Sequence, residues 1–188
     1  IARGQIEAST LAAFFGISYL TFSGISYLID VHRKDQPPER DLLKFSTYLL
    51  MFPKLIQGPI LLYKDLQDDL GETKLNTEQM AGGIRRFIIG LGKKVLLADV
   101  LVVAANRVFS SPPDQLGASA AWFGLVAYAL VIYFDFSGYT DMALGIGGMF
   151  GIQLPENFNF PYISRSIADF WRRWHITLNT WFRTYVFM

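Results

Sequence analysis

The chain has 188 residues, 52% hydrophobic and 18% charged, with a mean hydropathy of +0.28, which excludes an ordinary soluble domain and points to a bilayer as solvent. Its net charge of +1, with Lys and Arg clustered beside apolar stretches, matches the bias that orients membrane spans; no nucleic-acid partner is expected. The absence of cysteine excludes a disulfide framework, a thiolate nucleophile and a cysteine metal site, and no other metal site is expected. Beginning at Ile1 and closing at Met188 inside an aromatic, helix-like run, residues 1–188 read as an internal fragment of one all-α, multi-pass integral membrane helical bundle.

Ser9 to Ile29 carries no charge and is long enough to cross a hydrocarbon core of about 30 Å as a first span. Asp30 to Lys44 follows as a loop, broken by Pro37-Pro38. Phe45 to Tyr63 is apolar but interrupted by Pro53 and Gly58-Pro59, which fits either a re-entrant pair of half-helices or an interfacial loop with short flanking helices. A new helix starts at about Thr77. Ile84 to Phe109 forms a second apolar stretch with Lys93, Lys94 and Asp99 inside it, groups that must be paired or sit at an interface.

Leu116 to Phe134 is a third uncharged span ending at Asp135. Phe136 to Leu154 is glycine-rich, either for tight helix packing or as a substrate path, with Asp141 its one charge. The basic clusters Arg33 to Lys44 and Arg165 to Arg183 place those regions in the cytoplasm.

Pro155 to Arg165 reads as a loop, and Ser166 with Asp169 has the spacing of a capping box that opens a final helix. On a helical projection Trp171, Trp174, His175, Leu178, Trp181, Phe182 and Tyr185 share one arc of about 120°. Asp169, Arg172, Arg173, Thr180 and Arg183 lie opposite. This pattern predicts one amphipathic helix at the membrane interface or over a cavity.

His175 stands in the middle of the aromatic face, as a satisfied structural residue or as a proton-transfer group. Asp135 and Asp141 are buried-carboxylate candidates to pair with it, since an imidazole oriented by a carboxylate abstracts protons near neutral pH. His32, in the charged region after the first span, reads as solvated. No HExxH, CxxC, P-loop, GxSxG or Rossmann pattern is present.

The stretch from Tyr133 to Arg183 contains PENFN, the run Ser164-Arg165-Ser166-Ile167 and FWRRWHITL in that order, with FPKLIQGPI (Phe52 to Ile60) and LGKKVLLAD (Leu91 to Asp99) upstream. In these motifs the chain resembles the bacterial branch of the membrane-bound O-acyltransferases, nearest to the alginate O-acetyltransferases and less near to the teichoic acid D-alanyl transferases. The resemblance implies many helices around a funnel and tunnel, in which an acyl group passes from a thioester donor to a hydroxyl of an exported polysaccharide. His175 matches the first of two functional histidines; the second would lie downstream of Met188.

The resemblance further implies that Trp171, Arg173 and Trp174 shape the wall beside His175, with Asp135 and Asp141 as weaker orienting candidates. It implies acetyl-CoA or an acyl carrier thioester as donor with no bound cofactor. Membrane lipid and periplasmic or extracellular polysaccharide-modifying proteins would be the partners, and the bacterial cytoplasmic (inner) membrane the location. Thr184 departs from the acidic residue usual in a WxRDY-like run. A non-catalytic scaffold of the same fold and a secondary transporter are the competing readings; the transporter would need a paired broken segment in a second half.

Overall fold

The computed structural model describes residues 3–71 and 76–187, with side chains described from residue 16 onward except at residue 113. Its regular structure is helical: α1 (Arg3–Arg33), α2 (Leu42–Leu50), α3 (Tyr63–Leu66), α4 (Thr77–Gly92), α5 (Asp99–Phe109), α6 (Ala118–Met149), α7 (Ile167–Arg173) and α8 (Ile176–Tyr185). Among the described residues, α6 is the one helix that passes as a membrane span by length and composition. The side chains of Ser9 to Phe15, in the first expected span, lie outside the described residues.

α1 stops before the Pro37-Pro38 loop, and His32, in its last turn, is exposed as expected. The broken stretch after it resolves into two short helices around an irregular centre. Asp41 caps α2 by accepting from the Leu43 and Lys44 amides, a 3-10 turn holds Pro53, and extended backbone leads to α3. Tyr48, Leu61, Tyr63 and Leu66 of this stretch form the core with Tyr27 of α1 and with Leu144 and Leu154. Lys54 is fully buried there, donating to Ser23 Oγ at 3.1 Å with its Nζ 4.0 Å from the Tyr48 ring centre. Burial pushes its pKa down to about 7.

α4 begins at Thr77 with Asn76 as its cap, and it continues through a π-helical turn (Lys93–Ala98) into α5 without a break. This rod packs on α6 through interlocking glycines. A Cβ on Gly83 would stand 2.6 Å from the Gly145 carbonyl oxygen, and one on Gly90 the same distance from that of Gly138. The glycine-rich segment is therefore explained by close helix approach.

Two expectations are corrected here. Leu116 to Phe134 and Phe136 to Leu154 are not separate segments: Ala118–Met149 is one helix of 32 residues, about 48 Å long at 1.5 Å per residue, and the chain from Phe150 to Leu154 leaves it. Asp135 does not end it, because Lys94 of the π turn reaches across to that carboxylate while also pairing with Asp99 at 3.0 Å. Lys93 likewise pairs with Asp141 rather than extending to an interface. The wide turn sits where two consecutive lysines must both reach α6.

The second correction concerns the final amphipathic helix, which is two helices, α7 and α8. Trp174 is extended and His175 left-handed, with φ 44° and ψ 57°. The helical projection therefore does not hold across the break.

Candidate functional site

Ser166 opens α7, its Oγ accepting from the Asp169 amide at 3.1 Å as the spacing predicts. Helical bonding is then lost to the loop just upstream. Asn159 donates its amide to the Arg173 carbonyl at 2.9 Å, Phe158 and Trp174 form an isolated bridge, and Ile176 donates to the Asn157 carbonyl at 3.0 Å. The Asn157 side chain, fully buried, accepts from the Thr177 amide (3.2 Å) and hydroxyl (2.7 Å). The Thr177 oxygen accepts in turn from the Ile60 amide at 3.0 Å. His175 sits inside this clamp in a backbone region that costs about 1–2 kcal/mol for a residue with a Cβ, although histidine enters it more often than most.

The imidazole meets Phe136 of α6 edge-to-face at 4.9 Å, and Phe136 meets Phe158 at the same distance. Its Nε2 is buried and has no hydrogen-bond partner among the described residues. Burial pushes the imidazole pKa down to about 4, so the ring is neutral at pH 7. His175 also lines a cavity of about 310 Å³, together with Trp171, Leu178, Asn179, Phe182 and Phe187. An apolar pocket with few polar groups is the common form of a small-ligand site.

Of the site residues expected from sequence, His175 and Trp171 line this cavity, with Leu178 and Phe182 of the same arc. Trp174 does not; it stacks on Phe170 at 5.6 Å and meets Phe158 at 5.1 Å, forming the aromatic wall behind the histidine. Arg173 turns to Asp169 (3.1 Å) and the Asn159 carbonyl (3.3 Å), bracing the loop. The expectation that Asp135 or Asp141 orients His175 is corrected: Asp135 is held by Lys94, and Asp141 by Lys93 and by Arg86 at 2.8 Å. These cations on α4 and the π turn lie 41 to 55 residues away in sequence.

Arg86, Lys93, Ser137, Thr140, Asp141 and Glu156 border a second, polar cavity of about 250 Å³. Sequence reasoning missed Asn157, Thr177 and Asn179. The one available signal was the asparagine between Glu156 and Phe158 in PENFN, and its partner lies 20 residues on.

Residues 17–188 match the model of the membrane-bound O-acyltransferase family. The chain is 47% identical over 173 residues to the probable alginate O-acetylase AlgI of Pseudomonas aeruginosa, covering 92% of this chain and 33% of that protein. It is 35% identical over 215 residues to the peptidoglycan O-acetyltransferase of Helicobacter pylori, covering 100% and 41%. To the teichoic acid D-alanyltransferase of Bacillus subtilis it is 37% identical over 188 residues, covering 95% and 46%. The chain spans about a third of the length of the first of these curated relatives. It belongs to the membrane-bound O-acyltransferase family.

Proposed function

We propose that this chain carries the proton-transfer histidine of a multi-pass membrane O-acyltransferase that moves an acetyl or similar acyl group from a thioester to hydroxyls of an exported polysaccharide. The observation that carries the reading is His175 itself, a residue that lines an apolar cavity and whose buried Nε2 has no hydrogen-bond partner among the described residues. A neutral imidazole there accepts the acceptor's hydroxyl proton as that oxygen attacks the thioester carbonyl. The new C–O bond forms, the C–S bond breaks, and the imidazolium returns its proton to the leaving thiolate. The apolar lining keeps water from the thioester.

Acetyl-CoA or an acyl carrier protein fits as donor, because the chain has no cysteine to hold the acyl group as its own thioester. A polysaccharide acceptor is favoured by relatives named for acylating alginate, peptidoglycan and teichoic acid. We place the whole protein in the bacterial inner membrane, working with periplasmic polysaccharide-modifying partners. The test is transfer of labelled acetyl in membranes carrying the full-length protein or its His175→Ala variant. The variant is expected to insert normally and to lose about 10²–10⁴-fold in rate. Retention of the parent rate would overturn the reading.

A further inference from the structure

We propose that Asn157 is the positioning residue of His175: through Thr177 it locks the left-handed turn that aims the imidazole at the cavity. The inference rests on the acyl-transfer reading of His175. Asn157 is completely buried and Thr177 nearly so, and the Asn157 Nδ2 has no hydrogen-bond partner among the described residues, so the carboxamide acts here through its oxygen. The Asn157 Oδ1 takes both hydrogen-bonding groups that Thr177 offers, at 3.2 and 2.7 Å, while its backbone carbonyl takes the Ile176 amide at 3.0 Å. The residue therefore binds the two positions that follow the histidine.

The position before it is bound by the bridge between Phe158 and Trp174. His175, between these anchors, makes no side-chain capping bond to α8 that would hold it in place. Thr177 ties the assembly to a third segment through the Ile60 amide at 3.0 Å, so the turn is fixed against FPKLIQGPI as well as PENFN. Without the Asn157 carboxamide, the Thr177 amide and hydroxyl lose their partner, and the strained turn is held by the backbone contacts alone and loosens. A relaxed turn moves the imidazole, and a misplacement of about 1 Å at a reacting group costs on the order of 10²-fold in rate.

The test uses the full-length protein with Asn157→Ala, Thr177→Val and Thr177→Ser. Thr177→Val keeps the shape and removes the hydroxyl; Thr177→Ser keeps the hydroxyl. Two readouts are taken: kcat and donor KM, and the rate at which diethyl pyrocarbonate modifies His175, followed by mass spectrometry on the peptide Trp174 to Arg183. The expected result is a fall in kcat of about 10–100-fold for Asn157→Ala and Thr177→Val, with donor KM near the parent value. Carbethoxylation of His175 should be several-fold faster in both, and Thr177→Ser should behave as the parent.

A Thr177→Val enzyme with kcat within about threefold of the parent and unchanged carbethoxylation would overturn the proposal. Lost activity with unchanged carbethoxylation would also overturn it, because the network would then act elsewhere. If Asn157→Ala fails to insert, the two Thr177 variants decide. If His175→Ala proves active, the acyl-transfer reading falls, and the carbethoxylation rates alone still decide whether Asn157 positions the ring.

Discussion

Gly90 of α4 lies so close to Gly138 of α6 that a Cβ on Gly90 would stand 2.6 Å from the Gly138 carbonyl oxygen and 2.9 Å from the Asp141 side chain. Backbone cannot yield there as a flexible side chain would. Gly90→Ala should destabilise the full-length protein by about 1–3 kcal/mol, the usual cost of overpacking. Gly92→Ala, in open space on the same helix, should not. Thermal unfolding in detergent separates the two, and equal melting temperatures would contradict this packing.

The cations of the π turn should differ in weight. Asp141 is 12% exposed and faces both Arg86 and Lys93, whereas Asp135 is 35% exposed and its partner Lys94 40%. Asp141→Asn leaves Lys93 without its carboxylate and Arg86 with Glu156 alone, and should cost about 2 kcal/mol, between an exposed and a buried pair. Lys94→Ala should cost about 1 kcal/mol or less. Urea or thermal melts of the two variants check the order, and the reverse order would contradict it.

Lys54 links stability to pH. Its folded pKa, about 7, lies below the ordinary 10.5, so the neutral amine is the form the fold favours. The unfolded chain binds more protons between those values, and the contribution to stability is full above 10.5 and lost as pH falls through 7. Lys54→Met removes this dependence. The gain in melting temperature of Lys54→Met over the parent should be larger at pH 6 than at pH 9, and a gain that is flat or larger at pH 9 would contradict the burial.

The start of α4 at Thr77 was legible because it depends on local composition. So was the cap at Ser166. The continuity of α6 was not, since Asp135 read as an end while its cation stands 41 residues upstream. The break at His175 was hidden for a related reason: aromatic residues keep helical spacing straight through it. The groups that win the backbone away belong to a loop around Asn157 and Asn159. Of the site, the histidine and Trp171 were readable from motif and spacing, whereas the roles of Asn157 and Thr177 exist only in the contact between them.

The left-handed turn sets which residues position 175 accepts. At φ 44° a glycine is unstrained, while a β-branched residue is not. His175→Gly should unfold near the parent temperature, and His175→Val should be less stable than His175→Gly by about 1–3 kcal/mol. Equal stability of the two would show that the turn is not left-handed in the protein.

The most direct test of His175 as the proton acceptor is kcat/KM of the full-length enzyme against pH, with His175→Gly as the imidazole-free comparison. Burial lowers the His175 pKa from 6.5 to about 4, so the base stays unprotonated well below neutral pH. The same shift makes folded-state stability full above 6.5 and lost as pH falls through about 4, which confines the usable range to the alkaline side of that loss. The account predicts a rate that is flat from pH 8 to about 5 and falls only near 4, with His175→Gly about 10²–10⁴-fold slower throughout. An acid limb centred at 6.5 or higher, or a His175→Gly enzyme as fast as the parent, would contradict it.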